Sequence, residues 1–152
     1  ALVGDHHPYY LTDRLSMDEY NRLSTYKRDG TIELYHSNFI LYNAAMDSVL
    51  VDKVGSQLDV MPTIYNLFGM NYDSRLLMGN DLLSTNSSIA IMGDNSWVND
   101  KGKYFAYSNT FEGNDVSSAY INQINTKVEN IKKISRLMMQ NNYYKFVYDN
   151  KD

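Results

Sequence analysis

Apolar side chains recur at steps of three and four near the end of the chain. Ile121, Ile124, Val128, Ile131, Ile134 and Met138 share one face, so the spacing predicts an amphipathic helix over 116–141. Glu129 and Lys133 stand four apart with the acid first, and Lys132, Lys133 and Arg136 crowd the C-terminal half, where cations suit the helix dipole. Such a helix packs its stripe on the protein's own core; a membrane surface or a partner is the alternative face for it. Upstream, Ser16-Met17-Asp18-Glu19 has the form of a capping box and predicts a helix over 17–27, closed by Asp29-Gly30. Asp59 begins a second predicted helix, to Phe68, with Pro62 in its first turn and Gly69 as its left-handed stop.

Short apolar runs supply the strands. Ala1–Val3 reads as the tail of a buried strand ended by Gly4, Asn38–Asn43 as a buried strand, and Val49–Val54 as a further extended piece. Ser88–Met92, Ser96–Val98 and Lys103–Tyr107 are separated by Gly93-Asp94-Asn95 and Asn99-Asp100-Lys101-Gly102, turn chemistry that predicts an antiparallel meander. The order, strands alternating with helices first and hairpins later, is that of an α/β protein with an antiparallel appendage and a C-terminal helix.

Composition narrows the function classes. The 152 residues carry 14 Lys+Arg against 18 Asp+Glu, a formal charge of −4, which argues against a nucleic-acid surface. No apolar run approaches the roughly 20 residues of a membrane helix. With no cysteine, disulfides, thiolate metal sites and cysteine nucleophiles are excluded. The chain opens without Met, and its first strand is shorter than the usual 5–6 residues, so a fragment of a longer protein is expected.

Asp5-His6-His7 is the one cluster of metal-ligand side chains; a carboxylate beside an imidazole suits Mn²⁺ or Zn²⁺, provided the backbone turns so that both reach one ion. A polar loop with solvated histidines is the competing reading. His36 reads as a surface histidine, Asp73 and Arg75 as a local ion pair, and Trp97 as a packing residue of the hairpins. No phosphate-binding glycine loop, serine elbow or His-Glu-x-x-His motif is present.

Several of these stretches resemble, in order, the sulfatase branch of the alkaline-phosphatase superfamily. They are Gly4-Asp5-His6-His7-Pro8, the strand Phe39-Ile40-Leu41-Tyr42-Asn43, and Gly55-Ser56-Gln57-Leu58-Asp59-Val60-Met61-Pro62-Thr63. Leu67-Phe68-Gly69 and then Ser74-Arg75-Leu76-Leu77-Met78-Gly79-Asn80-Asp81-Leu82-Leu83 are similar to the lipoteichoic acid synthase-like, phosphoglycerol transferase subgroup. The resemblance covers roughly residues 1–108.

It implies the C-terminal part of an α/β/α sandwich with a mostly parallel sheet, residues 1–115 belonging to the catalytic domain and 116–152 forming a helix and tail. It further implies an enzyme in which a metal-bound Thr attacks the phosphorus of phosphatidylglycerol. The glycerol phosphate then passes to a growing glycerol-phosphate polymer or a glycolipid, a covalent intermediate splitting one displacement into two. Asp5 and His6 match two of the metal ligands, Mn²⁺ being the expected ion; His7 is a positioning or substrate residue, or faces water. The family's nucleophile lies far upstream of any residue here, so Thr63 is not that nucleophile, and the 152 residues alone should be inactive. The implied parent is a bacterial cell-membrane protein with an extracellular catalytic domain, the fragment itself soluble. Its partners would be the lipid, the polymer and the upstream half of its own domain, with exposed apolar surface favouring a homodimer of the fragment. Sulfuric-ester hydrolase and phosphoethanolamine transferase are alternatives within the superfamily, and a non-catalytic extracellular interaction module is one outside it.

Overall fold

Ser16 opens the first helix by reciprocal hydrogen bonds: its hydroxyl accepts from the Glu19 amide (3.3 Å) while the Glu19 carboxylate accepts from the Ser16 amide (2.9 Å) and hydroxyl (2.8 Å). Those bonds, the backbone one foremost, hold the Glu19 carboxyl below its usual range. The computed structural model describes residues 1–4, 14–23 and 30–150. These fall into two compact units, Ala1–Ser48 and Val49–Asp152. Together they make a mixed helix-and-sheet protein with a small antiparallel sheet and a long helix toward the C-terminus.

In the first unit, β1 (Leu2–Val3) pairs antiparallel with β2 (Phe39–Ile40), Leu2 opposite Ile40 and Val3 opposite Phe39. Helices α1 (Met17–Leu23) and α2 (Thr31–Leu34) lie between them in sequence. Both strands are shorter than the apolar runs that contain them, and Leu2, Val3 and Ile40 are exposed instead of buried. Among the described residues no further strand joins this two-stranded pair, and the expected burial is not reached. Gly30 is the extended residue ahead of α2. Positions 24–29 of the first predicted helix lie outside the described residues.

The second unit begins with residues 49–56, which form no strand; Val49, Leu50 and Val51 are exposed. A 3₁₀ turn (Gln57–Asp59) leads directly into α3 (Val60–Leu67). Pro62 occupies its first turn, where no intrahelical amide bond is lost, and Gly69 at φ +61° stops it as expected. After a 3₁₀ turn at Ser74–Leu76, the chain forms the predicted meander. Its strands are β3 (Ala90–Ile91), β4 (Trp97–Asn99), β5 (Gly102–Phe105) and β6 (Thr110–Gly113), paired antiparallel in that order. The fourth strand was not anticipated, because Asn109 and Gly113 break its apolar pattern.

Each turn has a local cause. Asp94 accepts from the Ser96 amide and hydroxyl (both 2.9 Å), and Asn95 takes φ +75° to close the first hairpin. Asn99 Oδ1 accepts from the amides of Lys101 (2.9 Å) and Gly102 (3.3 Å) in the second. Gly102 and Gly113 face each other across β5 and β6, both at positive φ, where a Cβ on either would meet the other strand's backbone.

Trp97, Tyr104 and Phe111 line up across β4, β5 and β6 on one sheet face. Trp97 stacks on Tyr104 at 5.5 Å and meets Phe111 at 5.7 Å, so the predicted packing residue is the centre of the core. Helix α4 (Ser118–Gln140) covers that face with Ile121, Ile124 and Val128. Two polar contacts fix its register: Trp97 Nε1 donates to Asn125 Oδ1 (2.7 Å) and Asn99 Nδ2 to Tyr120 Oη (2.9 Å). Beyond Val128 the apolar stripe leaves this core: Met138 is buried, but Ile134 is exposed, and Glu129 makes no ion pair with Lys133. A short helix, α5 (Tyr143–Asp149), turns back through Asn142 at φ +51° and packs against the end of α4.

Candidate functional site

Asp5, His6 and His7 lie outside the described residues. Gly4 directly precedes them and packs against Ser37: a Cβ there would stand 1.9 Å from Ser37 Oγ, which would have to turn away. His36, beside Ser37, is exposed as expected. Among the described residues no three His, Asp or Glu side chains gather into a metal-holding group.

The structure does bring together two segments that the sequence separates by some twenty residues. Asp59, only 2% exposed, accepts from the Ser56 amide (2.8 Å) and hydroxyl (3.2 Å) through Oδ2, and from the Asn80 amide (2.6 Å) through Oδ1. Its carboxylate thus closes a capping box begun by Ser56 and also ties down the Gly79-Asn80 strand of chain. Asp59 is the N-cap residue of α3 as expected, but its carboxylate caps no amide of that helix; it serves as the third residue of the capping box that Ser56 opens on the preceding 3₁₀ turn. Thr63, also 2% exposed, donates from Oγ1 to the Asp59 carbonyl (2.6 Å) and accepts from the Leu82 amide (2.9 Å).

Gly79 makes the approach possible. A Cβ at that position would lie 2.1 Å from the Leu58 carbonyl oxygen and 2.7 Å from the Asp59 nitrogen. Asp81 closes the loop from the other side, accepting from Asn66 Nδ2 (3.2 Å) and the Leu83 amide (2.9 Å), while Lys53 Nζ donates to the carbonyls of Ser84 (2.9 Å) and Asn86 (3.0 Å). The result is a buried polar knot. Its hydroxyl and carboxylate are occupied by backbone partners and shielded from solvent, which suits anchoring and not proton transfer or nucleophilic attack. The signal in the sequence was Ser56-x-x-Asp59 followed by Gly79-Asn80; what periodicity could not give was that they meet.

The remaining candidate is local. Arg75 grips Asp73 through Nε (2.9 Å) and Nη2 (2.7 Å), the expected ion pair, in a solvent-exposed turn. Comparison with known protein families, curated proteins and solved structures finds no match.

Proposed function

We propose that the chain is the C-terminal part of a sulfatase-like phosphoglycerol transferase, in which Asp5 and His6 supply two ligands to a divalent metal. The observation that carries this reading is the convergence of two stretches on which the resemblance rests. Ser56-Gln57-Leu58-Asp59-Val60-Met61-Pro62-Thr63 and Gly79-Asn80-Asp81-Leu82 form one buried knot, with a role for each of Ser56, Asp59, Thr63 and Gly79. Residues that match a family pattern and interlock in space support common ancestry more strongly than either stretch alone. The proposal includes the family's α/β/α sandwich, to which residues 39–51 would contribute through their exposed apolar side chains.

One carboxylate and one imidazole fit a hard or borderline divalent ion such as Mn²⁺, and when bound that ion would polarise a phosphoryl oxygen. Asp5 and His6 would hold it, while His7 would orient His6 or meet the substrate. The nucleophilic Thr is assigned upstream of these residues, so turnover is expected only from a longer chain. The test is release of diacylglycerol from phosphatidylglycerol vesicles by a chain extended upstream through that Thr. Release that falls at least a hundredfold in Asp5→Ala and His6→Ala variants supports the transferase. Wild-type release from both variants would overturn the assignment, and hydrolysis of sulfate esters or transfer of phosphoethanolamine instead would move it to a neighbouring activity.

A further inference from the structure

Charge is segregated in this chain. Residues 127–149 carry five Lys/Arg against Glu129 and Asp149, a formal +3 in a chain whose total is −4, which leaves −7 on the rest. Lys132, Lys133 and Arg136 fall on the part of α4 beyond Val128, and Lys145 on α5. Lys132 is committed: its ammonium donates to the carbonyls of Met92 and Gly93 and to Asn95 Oδ1, pinning the helix to the first hairpin. Lys133 and Arg136 have no ion-pair or hydrogen-bond partner among the described residues, and with Lys132, Glu129 and Asn95 they line an open cleft. Lys145 pairs with Asp149 on α5.

Apolar and aromatic side chains flank this cleft in sequence. Ile134 and Leu137 follow Lys133 by one and four positions, and both are exposed. Met139 is 72% exposed, Phe146 61% and Tyr148 65%. A helical segment whose exposed surface combines the free cations Lys133 and Arg136 with Ile134, Leu137, Phe146 and Tyr148 has the makeup of an element that lies in a lipid interface. A self-associating face would not need the unpaired cations, and a soluble anion would not need the exposed aromatics.

We propose that the end of α4 and α5 dock on an anionic phospholipid surface. Lys133 and Arg136 take the lipid phosphates in the cleft, while Ile134, Leu137, Phe146 and Tyr148 enter the headgroup region. This goes beyond the transferase reading and does not depend on it, since it uses the hairpin alone and requires neither metal nor turnover.

The experiment is co-sedimentation of the 152-residue chain with vesicles of phosphatidylglycerol and phosphatidylcholine in equal parts, and with phosphatidylcholine alone. The docking surface predicts partitioning at least tenfold stronger onto the anionic vesicles, weakened at 0.5 M salt. Lys133→Gln with Arg136→Gln should lower it roughly 25-fold, about fivefold per cation. Phe146→Ser with Tyr148→Ser should lower binding as well; Lys133 and Arg136 are exposed, so circular dichroism and Tm of the charge variant should stay as in the parent chain. Glycerol phosphate at 10 mM should not displace the protein. Equal partitioning onto both vesicles, wild-type binding by the charge variant, displacement by glycerol phosphate, or a dimer that the aromatic variant dissociates without any vesicle binding would each overturn the proposal.

Discussion

Asp59 shows how one side chain can tie together chain segments 21 positions apart. Three donors converge on its carboxylate, and two of them, the amides of Ser56 and Asn80, have that carboxylate as their hydrogen-bond partner. Removing it strands two part-buried amides, and an unmet buried donor costs about 1–3 kcal/mol. Asp59→Ala should therefore destabilise the protein by about 2–4 kcal/mol, whereas Thr63→Val, which keeps the shape but loses one donor and one acceptor, should cost about 1–2 kcal/mol. Chemical denaturation measures both. A change under about 0.5 kcal/mol for Asp59→Ala, the range of an ordinary surface substitution, would mean that the knot is not an anchor. The sequence disclosed the residue but not this role. Asp59 stands where a helix begins, and a carboxylate at a helix start reads as a cap; the Asn80 amide comes from a segment that no periodicity connects to it.

Among the elements, the hairpins and the long helix were legible because their causes are local. Gly93-Asp94-Asn95 and Asn99-Asp100-Lys101-Gly102 dictate turns by their own side chains, and Ile121, Ile124 and Val128 dictate a helix face by their spacing. Strands near the start were legible only in part. Residues 1–3, 38–43 and 49–54 carry the apolar content of buried strands, yet burial depends on what lies across them, and only Leu2–Val3 and Phe39–Ile40 pair. The second half of α4 departs for the same reason: its stripe continues, but the sheet beneath it has ended.

The first hairpin also makes a pH prediction. Asp94 is held below the usual carboxylate range foremost by the Ser96 amide; burial opposes this, and the Ser96 hydroxyl, the Asp94 amide and, least, Lys132 add to the lowering. A depressed native pKa contributes stability that is complete above the ordinary value near 4 and is lost as pH falls through the depressed one. Asp94→Asn keeps an oxygen for the Ser96 amide but has no charge to lose. Its Tm should lie below the wild-type value at pH 6, with the gap closing as pH falls below the ordinary value near 4 and through the depressed one. A gap independent of pH would show that the Asp94 charge does not hold the turn.

At the scale of the whole molecule, the two compact units divide the work. Residues 49–152 contain the knot, the meander and the helical hairpin, each satisfied by contacts within that unit. Residues 1–48 contain Gly4 and the Asp5-His6-His7 segment, with exposed apolar side chains on both short strands. Two ligands from adjacent residues cannot complete a metal shell, so the proposed site needs donors from elsewhere, as the transferase reading requires. The most direct measurement is calorimetric titration of Mn²⁺ into this chain and into one extended upstream through the proposed nucleophile, each also as Asp5→Ala. Tight binding by the extended chain alone, abolished by Asp5→Ala, is the predicted result. Absence of a metal response in both chains, with folding unchanged, would remove Asp5 and His6 as ligands and with them the transferase site.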